Sequence, residues 1–482
     1  MHTEEEYESV IGLEVHIQLQ TISKLFSGES TQFGSVPNSQ VGVISLGHPG
    51  TLPAVNSRAV EYAVLLGLAC HCDLAEETTF SRKHYFYPDL PKGFQTTQDT
   101  NPICKGGHIT IRLNGMDKKI RLTRIHLEED AGKSIHDLDP NDSLVDLNRA
   151  GVPLLELVSE PDLRSAEEAY QFMNTVHQLV RYLEICDGNM EEGSLRCDCN
   201  VSIRKKNHPA YGTRVEIKNL NSFRFVQKAI DTEIARQISI LKQGEEVVQE
   251  TRSFDAASNK TMSLRSKEMA HDYRYLPEPD LLPVPVSEEF VDTIRTRMPA
   301  LPHDLLLKFI HHYKIPEADA RQLTEEKEFA QYYVRLTEST EFYKAASNWM
   351  NGPVKSYLNK ERKGMQDFPI APEYFAKLIN LAEDGKVSFS AASQLIFPEL
   401  LQFPDDDPLK IAIRLNVLQE SNESKLTELI QSVIEKNPEK VEEYRRGKKA
   451  LIGMFMGEII RASNGKADPE ISNRILRKLL DK

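Results

Sequence analysis

Residues 10–19 read Val-Ile-Gly-Leu-Glu-Val-His-Ile-Gln-Leu, and this stretch decides the fold class. Ile11, Leu13, Val15, Ile17 and Leu19 fall on one side of an extended chain; Gly12, Glu14, His16 and Gln18 fall on the other. Alternation with period two marks a strand with one buried and one polar face. Residues 194–204 repeat it, with Leu195, Cys197, Cys199, Val201 and Ile203 against Ser194, Arg196, Asp198, Asn200, Ser202 and Arg204. A third strand over 213–219 aligns Arg214, Glu216 and Lys218. The turn Asn207-His208-Pro209-Ala210-Tyr211-Gly212 between the last two predicts an antiparallel pair.

Two amphipathic helices interrupt these strands. Ser165 and Glu168 form a capping box ahead of a stripe containing Ala169, Phe172, Val176, Leu179, Val180 and Leu183, with Asp187-Gly188 as the stop. Ser222 caps a second helix, whose stripe runs through Phe225, Val226, Ala229, Ile230, Ile234, Ile238 and Leu241 to Gly244. Strands with inserted helices predict an α+β region with an antiparallel sheet. The proline-rich run from Tyr275 to Pro285 and the Pro404-Asp-Asp-Asp-Pro408 segment mark boundaries. Three domains are expected: α+β over 1–292, then all-α regions over 293–405 and 406–482.

The chain has 482 residues, and its net charge of −13 argues against a protein that coats nucleic acid, DNA included, although a local basic patch could still bind RNA. The longest apolar run, Tyr62–Cys70, is too short to span a bilayer, so no membrane association is expected. An acidic start fits neither a signal peptide nor an Arg-rich transit peptide, and six cysteines are too few for a disulfide scaffold. The expected compartment is the cytoplasm.

Glu14 and His16 stand two apart on a polar strand face, and a carboxylate beside an imidazole can bind a divalent cation. More acids are available from Glu128-Glu129-Asp130, where alternation sends Glu128 and Asp130 one way and Glu129 the other. Glu156 lies inside Leu154-Leu155-Glu156-Leu157-Val158, and an acid within an apolar run requires a partner. Glu14, His16, Glu129, Glu156 and Asp198 would together make an oxygen-rich Mg²⁺ site. Lys83 and Lys92, set among aromatics in Phe80–Phe94, suit phosphate charge or proton transfer. Cys70-His71-Cys72 lacks zinc spacing, and alternation puts Cys197 and Cys199 on the apolar face, so zinc is not expected. The chain has no phosphate-binding G-x-x-x-x-G-K-[ST] loop, no G-x-G-x-x-G and no G-x-S-x-G elbow.

Seven stretches in order resemble one family: Ile11–Gln18, His84–Lys92, His126–Lys133, Asp146–Pro153, Met190–Asp198, Glu216–Phe223 and Asp272–Asp280. They are similar to the B subunit of the bacterial aspartyl/glutamyl-tRNA amidotransferase, and the resemblance extends over essentially the whole chain. It implies an α+β cradle that carries kinase and transamidase chemistry, a helical linker and a helical tRNA-binding tail. It also implies a two-step reaction. ATP phosphorylates the side-chain carboxylate of a misacylated Glu-tRNA(Gln) or Asp-tRNA(Asn), and ammonia from a glutaminase partner then displaces phosphate. The implied partners are the amidase (the A subunit) and a small protein (the C subunit), which complete a heterotrimer.

By position, the resemblance places Glu14, His16, Glu129, Glu156 and Asp198 at or near magnesium, and Lys83, Lys92 and Glu128 near the mouth of an ammonia channel. Arg196, Arg214 and Lys218 are assigned to nucleotide phosphates from their shared sheet face. Some members carry four zinc-binding cysteines; Ser27, Glu29, Gly42 and Ser45 stand at those positions, which implies a zinc-less subtype. Competing readings are a non-catalytic scaffold that presents tRNA and a stand-alone ATP-dependent amide ligase. From Val441 to Lys482, ten basic residues face six acids. Arg445, Arg446, Lys448 and Lys449 precede an apolar stretch whose Gly453 and Gly457 are expected to permit close helix packing, so that a rigid element presents the basic group to RNA.

Overall fold

The computed structural model describes residues 6–135, 138–139, 141–266, 273–420, 423–463 and 465–481. Asp272 of the last motif and Lys482 of the basic tail lie outside the described residues. The chain divides into two compact units, one ending at His303 and the other running from Asp304.

The first unit is built on a thirteen-stranded sheet. Its principal strands are β1 (Tyr7–Gln18), β2 (Ser81–His84), β3 (Phe94–Thr97), β4 (Met116–Glu129), β5 (Pro153–Ser159), β6 (Leu195–Lys205), β7 (Val215–Leu220), β8 (Glu250–Asp255) and β9 (Lys260–Ser266). Their spatial order is β9-β8-β7-β6-β1-β5-β4-β3-β2. The β6–β7 pair is antiparallel as expected, but β7 pairs with β8 in parallel, so the sheet is mixed at that side.

The strand that decides the fold lies in the middle. β1 sets Glu14 opposite Asp198 of β6 and His16 opposite both Arg196 of β6 and Glu156 of β5. Its apolar set, Ile11, Leu13, Val15, Ile17 and Leu19, is at most 2% exposed. Burying such a side chain contributes about 1.5–3 kcal/mol, and a one-residue slip would turn Glu14 and His16 into the core instead. The register that fixes the core therefore also fixes the polar face.

Helices α1 (Ser57–Ala69), α2 (Ala166–Tyr182) and α3 (Phe223–Lys242) belong to the same unit. Ser165 caps α2 by accepting from Glu168 N–H, and Ser222 caps α3 by accepting from Phe225 N–H. α2 ends before Asp187-Gly188: Leu183 is its C-cap, and Glu184 takes a left-handed backbone at φ 56°. α3 departs from its expected stripe. Glu233 and Gln237 are fully buried, while Ile234, Ile238 and Leu241 are only partly covered. Glu233 accepts from Arg236 at 2.7 Å, from Gln237 at 2.8 Å and from Thr261 of β9 at 3.0 Å, so the core accepts the acid with its bonds made.

The second unit is helical. Its final part, with α4 (Glu423–Glu435), α5 (Pro438–Arg445), α6 (Ile452–Ala462) and α7 (Pro469–Leu480), closes around Leu426, Ile430, Phe455, Ile459, Leu476 and Leu480. The close-packing expectation for Gly453 and Gly457 is overturned. Both are exposed on α6, with nothing within 4 Å of where a Cβ would stand. Phe455 and Ile459 set the buried face, which turns the two glycines to the outside. Among the described residues no helix is long and apolar enough to cross a membrane.

Candidate functional site

Three strands bring their polar-face residues together. His126 and Glu128 of β4, Glu156 of β5 and His16 of β1 form a compact group. His16 Nε2 lies 3.5 Å from Glu156 and 3.8 Å from Glu128; His126 Nε2 lies 3.6 Å and 3.5 Å from the same two carboxylates. One ligand atom from each of His16, Glu128 and Glu156 falls within 4.8 Å of the others, which fits a single cation. Each carboxylate thus sits between two imidazoles.

The electrostatics follow from that arrangement. Burial opposes a charge on His16, yet Glu156 and Glu128 outweigh it and hold the imidazole above its ordinary range. Burial likewise opposes the charge on Glu156, but His126, His16 and Lys83 hold it far below the usual carboxylate range. Glu128 is shifted the same way, burial being outweighed by His126 and His16. Glu14 goes up, from burial first and then from Glu156, with Asn200 partly offsetting by donating to it at 2.8 Å.

Other expected residues are placed differently. Glu129 does not join the group. β4 points it to the opposite side, where Lys92 pairs with its carboxylate and Thr96 N–H donates to it at 2.8 Å. Glu128 takes its place, so the carboxylate expected near the channel mouth stands in the cation group and the expected ligand stands with Lys92. The cause is register: Glu156 lies opposite His126, and that pairing brings the alternate residue Glu128 alongside. Asp198 is tied to Lys218 at 2.6 Å, and Glu14 borders the group without entering it. Lys83 faces Glu128 electrostatically and lies 4.8 Å from the ring centre of Tyr273, while Lys92 is directed away from that group towards Glu129.

A cavity of about 720 Å³ opens over the group, lined by His16, Lys83, Glu128, Glu156, Arg196 and Lys218 among others. Arg196 donates to Asp130 at 2.8 Å. Arg214 does not join Arg196 and Lys218: it precedes β7, is exposed, and lines a separate cavity. His126 escaped the sequence reading, although it stands two residues before Glu128 as Glu14 does before His16. Cys197 and Cys199 are buried in the core as expected. At the four positions compared with zinc cysteines, Ser27 hydrogen-bonds to Glu29, and the Glu29 carboxylate fills the space beside Gly42. In the second unit Arg445, Arg446, Lys448 and Lys449 are all exposed; Arg446, Lys448 and Lys449 pair with Glu442, Glu443 and Asp481 at 2.9–3.0 Å.

Fold and site together define an α+β protein with a paired imidazole–carboxylate centre on an open sheet face, followed by a helical region. Residues 9–292 match the family model described as GatB/GatE catalytic domain, and residues 331–480 match the GatB domain. The B subunit of the aspartyl/glutamyl-tRNA(Asn/Gln) amidotransferase of Thermodesulfovibrio yellowstonii is 46% identical over 476 residues, covering 98% of this chain and 99% of the relative. The proteins of the same name from Alkalilimnicola ehrlichii and Geotalea daltonii are 47% and 46% identical over 478 residues, covering 99% and 98% of this chain and 100% and 99% of theirs. The chain belongs to the family of aspartyl/glutamyl-tRNA amidotransferase B subunits.

Proposed function

We propose that this chain is the component that amidates Glu-tRNA(Gln), Asp-tRNA(Asn) or both, acting in the cytoplasm with the amidase and the small protein that form the A and C subunits. The observation that carries the reading is the imidazole–carboxylate group at the floor of a wide cavity flanked by Lys83 and Arg196.

A carboxylate is a poor acyl donor, and an acyl phosphate is a good one. In the first step the side-chain carboxylate of the aminoacyl group attacks the terminal phosphorus of ATP, and ADP leaves. In the second, ammonia attacks the acyl carbon, phosphate leaves, and the amide remains after loss of a proton. The donor set of one imidazole and two carboxylates fits Mg²⁺, and His16, Glu128 and Glu156 would hold it. Bound there, it supplies charge neutralisation for a phosphoryl group in transfer. Lys83 adds positive charge beside Glu128, and His126 fixes both carboxylates from behind at 3.5 Å and 3.6 Å. Arg196, held by Asp130, keeps a fixed orientation at the cavity wall, where it can position an anionic substrate group. The exposed basic group at Arg445–Lys449 serves tRNA backbone contacts.

The deciding assay is ATP hydrolysis dependent on glutamylated or aspartylated tRNA, measured with and without the amidase. Stimulation by the misacylated tRNA supports the assignment. Hydrolysis indifferent to the attached amino acid would overturn it in favour of a presenting scaffold.

A further inference from the structure

Lys83 borders the cation group, and register puts it there. It stands opposite Gln95 of β3, and Thr97, two residues further along β3, stands opposite Glu128 of β4. Alternation therefore turns Lys83 and Glu128 to the same face of the sheet. Glu128 and Glu156 act on its ammonium through space. Among the described residues that ammonium makes no hydrogen bond and no ion pair within 4 Å; what faces it is the ring of Tyr273, whose centre lies 4.8 Å away. A lysine carries its charge on a flexible four-carbon stem, so without a hydrogen bond another contact must aim it.

Tyr273 arrives on a strap, residues 273–278, laid along the outer edge of β2. Leu276 pairs with Arg82 and Pro277 with Ser81. Arg82, turned to the other face from Lys83, fastens the strap from behind by donating to the Glu278 carboxylate at 2.7 Å and 2.8 Å. Before Leu276 the pairing changes. His84 N–H donates to Tyr273 O at 2.9 Å, and its Nδ1 donates to Arg274 O at 3.0 Å, so two strap residues answer one residue of β2. Arg274 takes a left-handed backbone at φ 41°, which a residue with a side chain adopts only under constraint. Two residues opposite one make a β-bulge, a device that re-aims a side chain and recurs beside active sites. Tyr85 and Tyr275 stand edge-on to Tyr273, with ring centres 6.2 Å and 6.3 Å away, and brace it from either side.

We propose that Tyr273 is a positioning residue for the amidation reaction, its ring holding the Lys83 ammonium towards Glu128 and Glu156 so that this charge is in place when the phosphoryl group transfers. The inference rests on the amidotransferase reading above and adds the group that aims Lys83. The attraction lies between a cation and the negative face of an aromatic ring, and it grows as water is excluded. It depends on the electrons of the ring and not on the phenolic hydroxyl. The strained bulge at Arg274 is what the fold accepts to keep that face on the lysine.

The test uses the full-length chain assembled with its partner subunits and reads ATP hydrolysis dependent on misacylated tRNA. Tyr273→Leu should lower kcat at least fivefold and leave the KM for aminoacyl-tRNA within twofold, and Tyr273→Phe should restore kcat to within threefold of the parent. In a Lys83→Met background Tyr273→Leu should cost less than a further twofold, because the partner it aims is gone. Phenylalanine carrying one to three ring fluorines, placed at 273 by nonsense suppression, keeps the shape of the ring and drains its negative face. Here kcat should fall stepwise with each fluorine, to at least threefold below the unfluorinated phenylalanine. This series decides the matter alone if Tyr273→Leu fails to fold or Lys83→Met is too slow to measure. A kcat indifferent to fluorination, or a loss confined to the KM for tRNA, would overturn the positioning role while activity of the parent stands. A parent complex whose ATP hydrolysis ignores the attached amino acid would instead overturn the function on which the inference rests.

Discussion

Replacing Glu156 by glutamine keeps the size of the side chain and removes one charge from the centre. The Glu156 carboxylate lies 3.5 Å from His16 and 3.6 Å from His126, and its side chain is 14% exposed. A pair of unit charges 4 Å apart at an effective dielectric constant of 20 interacts by about 4 kcal/mol. A divalent cation would double that, but the same carboxylate also favours the proton on His16 in the cation-free state, and much of the loss cancels. The net loss is about 3 kcal/mol, or roughly a hundredfold in cation affinity at 1.4 kcal/mol per tenfold. His16 is held above its ordinary range by Glu156 and Glu128 against burial, so a cation must displace a proton from it, and affinity rises with pH. Glu156→Gln should make that dependence shallower. Manganese titration followed by electron paramagnetic resonance, beside a magnesium titration of tRNA-dependent ATP hydrolysis, measures both effects. Glu129→Gln, on the opposite side of the sheet, is the control and should leave cation affinity within twofold. An affinity of Glu156→Gln within threefold of the parent would refute the assignment of the centre.

Gly453→Ala and Gly457→Ala meet nothing within 4 Å on exposed turns of α6, so each should stabilise the helical unit by about 0.5–1 kcal/mol, visible as a raised Tm. Lys24 is fully buried, its ammonium has no hydrogen-bond partner among the described residues, and burial pulls its pKa down to about 8. Keeping it charged costs the fold about 3 kcal/mol below pH 8, a penalty that fades as pH rises towards the unfolded value near 10.4; Lys24→Met should raise Tm at pH 7, with the gain vanishing by about pH 10.5. Changing Arg445, Arg446, Lys448 and Lys449 together to glutamine should weaken tRNA binding and reduce the salt slope by roughly one for each phosphate no longer neutralised, read by filter binding across a salt series. With glutamine as nitrogen donor the isolated chain should be inactive, and high ammonium should restore amidation; glutamine-driven turnover by the chain alone would contradict the division of labour.

How much of this was legible follows from how local each signal is. The alternation in 10–19 fixes a polar face bearing Glu14 and His16, because strand periodicity needs only neighbouring residues. Glu156 announced itself as an acid in an apolar run, and its partners proved to be His16 and His126. Alternation also separated Glu128 from Glu129, but it could not say which of them faces the centre. That depends on β4 pairing with β5, so that Glu156 lies opposite His126, a register set between distant segments. The same limit explains α3. Its period was visible, yet the burial of Glu233 depends on Arg252 and Thr261 arriving from β8 and β9 respectively. In α6 the apolar run offers several faces to a neighbour, and only the packing of Phe455 and Ile459 shows that the glycines look outward.

The pattern of partners on the sheet face explains why a cation would choose one set of acids among several. Asp198 is answered by Lys218 and Asp130 by Arg196, and Glu129 on the opposite side is answered by Lys92. Lysine and arginine keep their protons at neutral pH, and pulling such a pair apart leaves a charge without a partner at a cost of several kcal/mol. Among the described residues the ion-pair partners of Glu128 and Glu156 in close contact are imidazoles; Thr97 also donates to Glu128 at 3.2 Å, and Lys83 acts on both carboxylates from further off. An imidazole can give up its proton near neutral pH and then offer the vacated nitrogen as a ligand. The His16–Glu128–Glu156 group is therefore where a metal ion can replace protons without stranding a lysine or an arginine, while Glu14 beside it has the Asn200 amide as its hydrogen-bond partner. Register also keeps Asp198 outside the group: it lies opposite Glu14, while Arg196 is the β6 residue opposite His16. Lys218 at 2.6 Å already answers its charge.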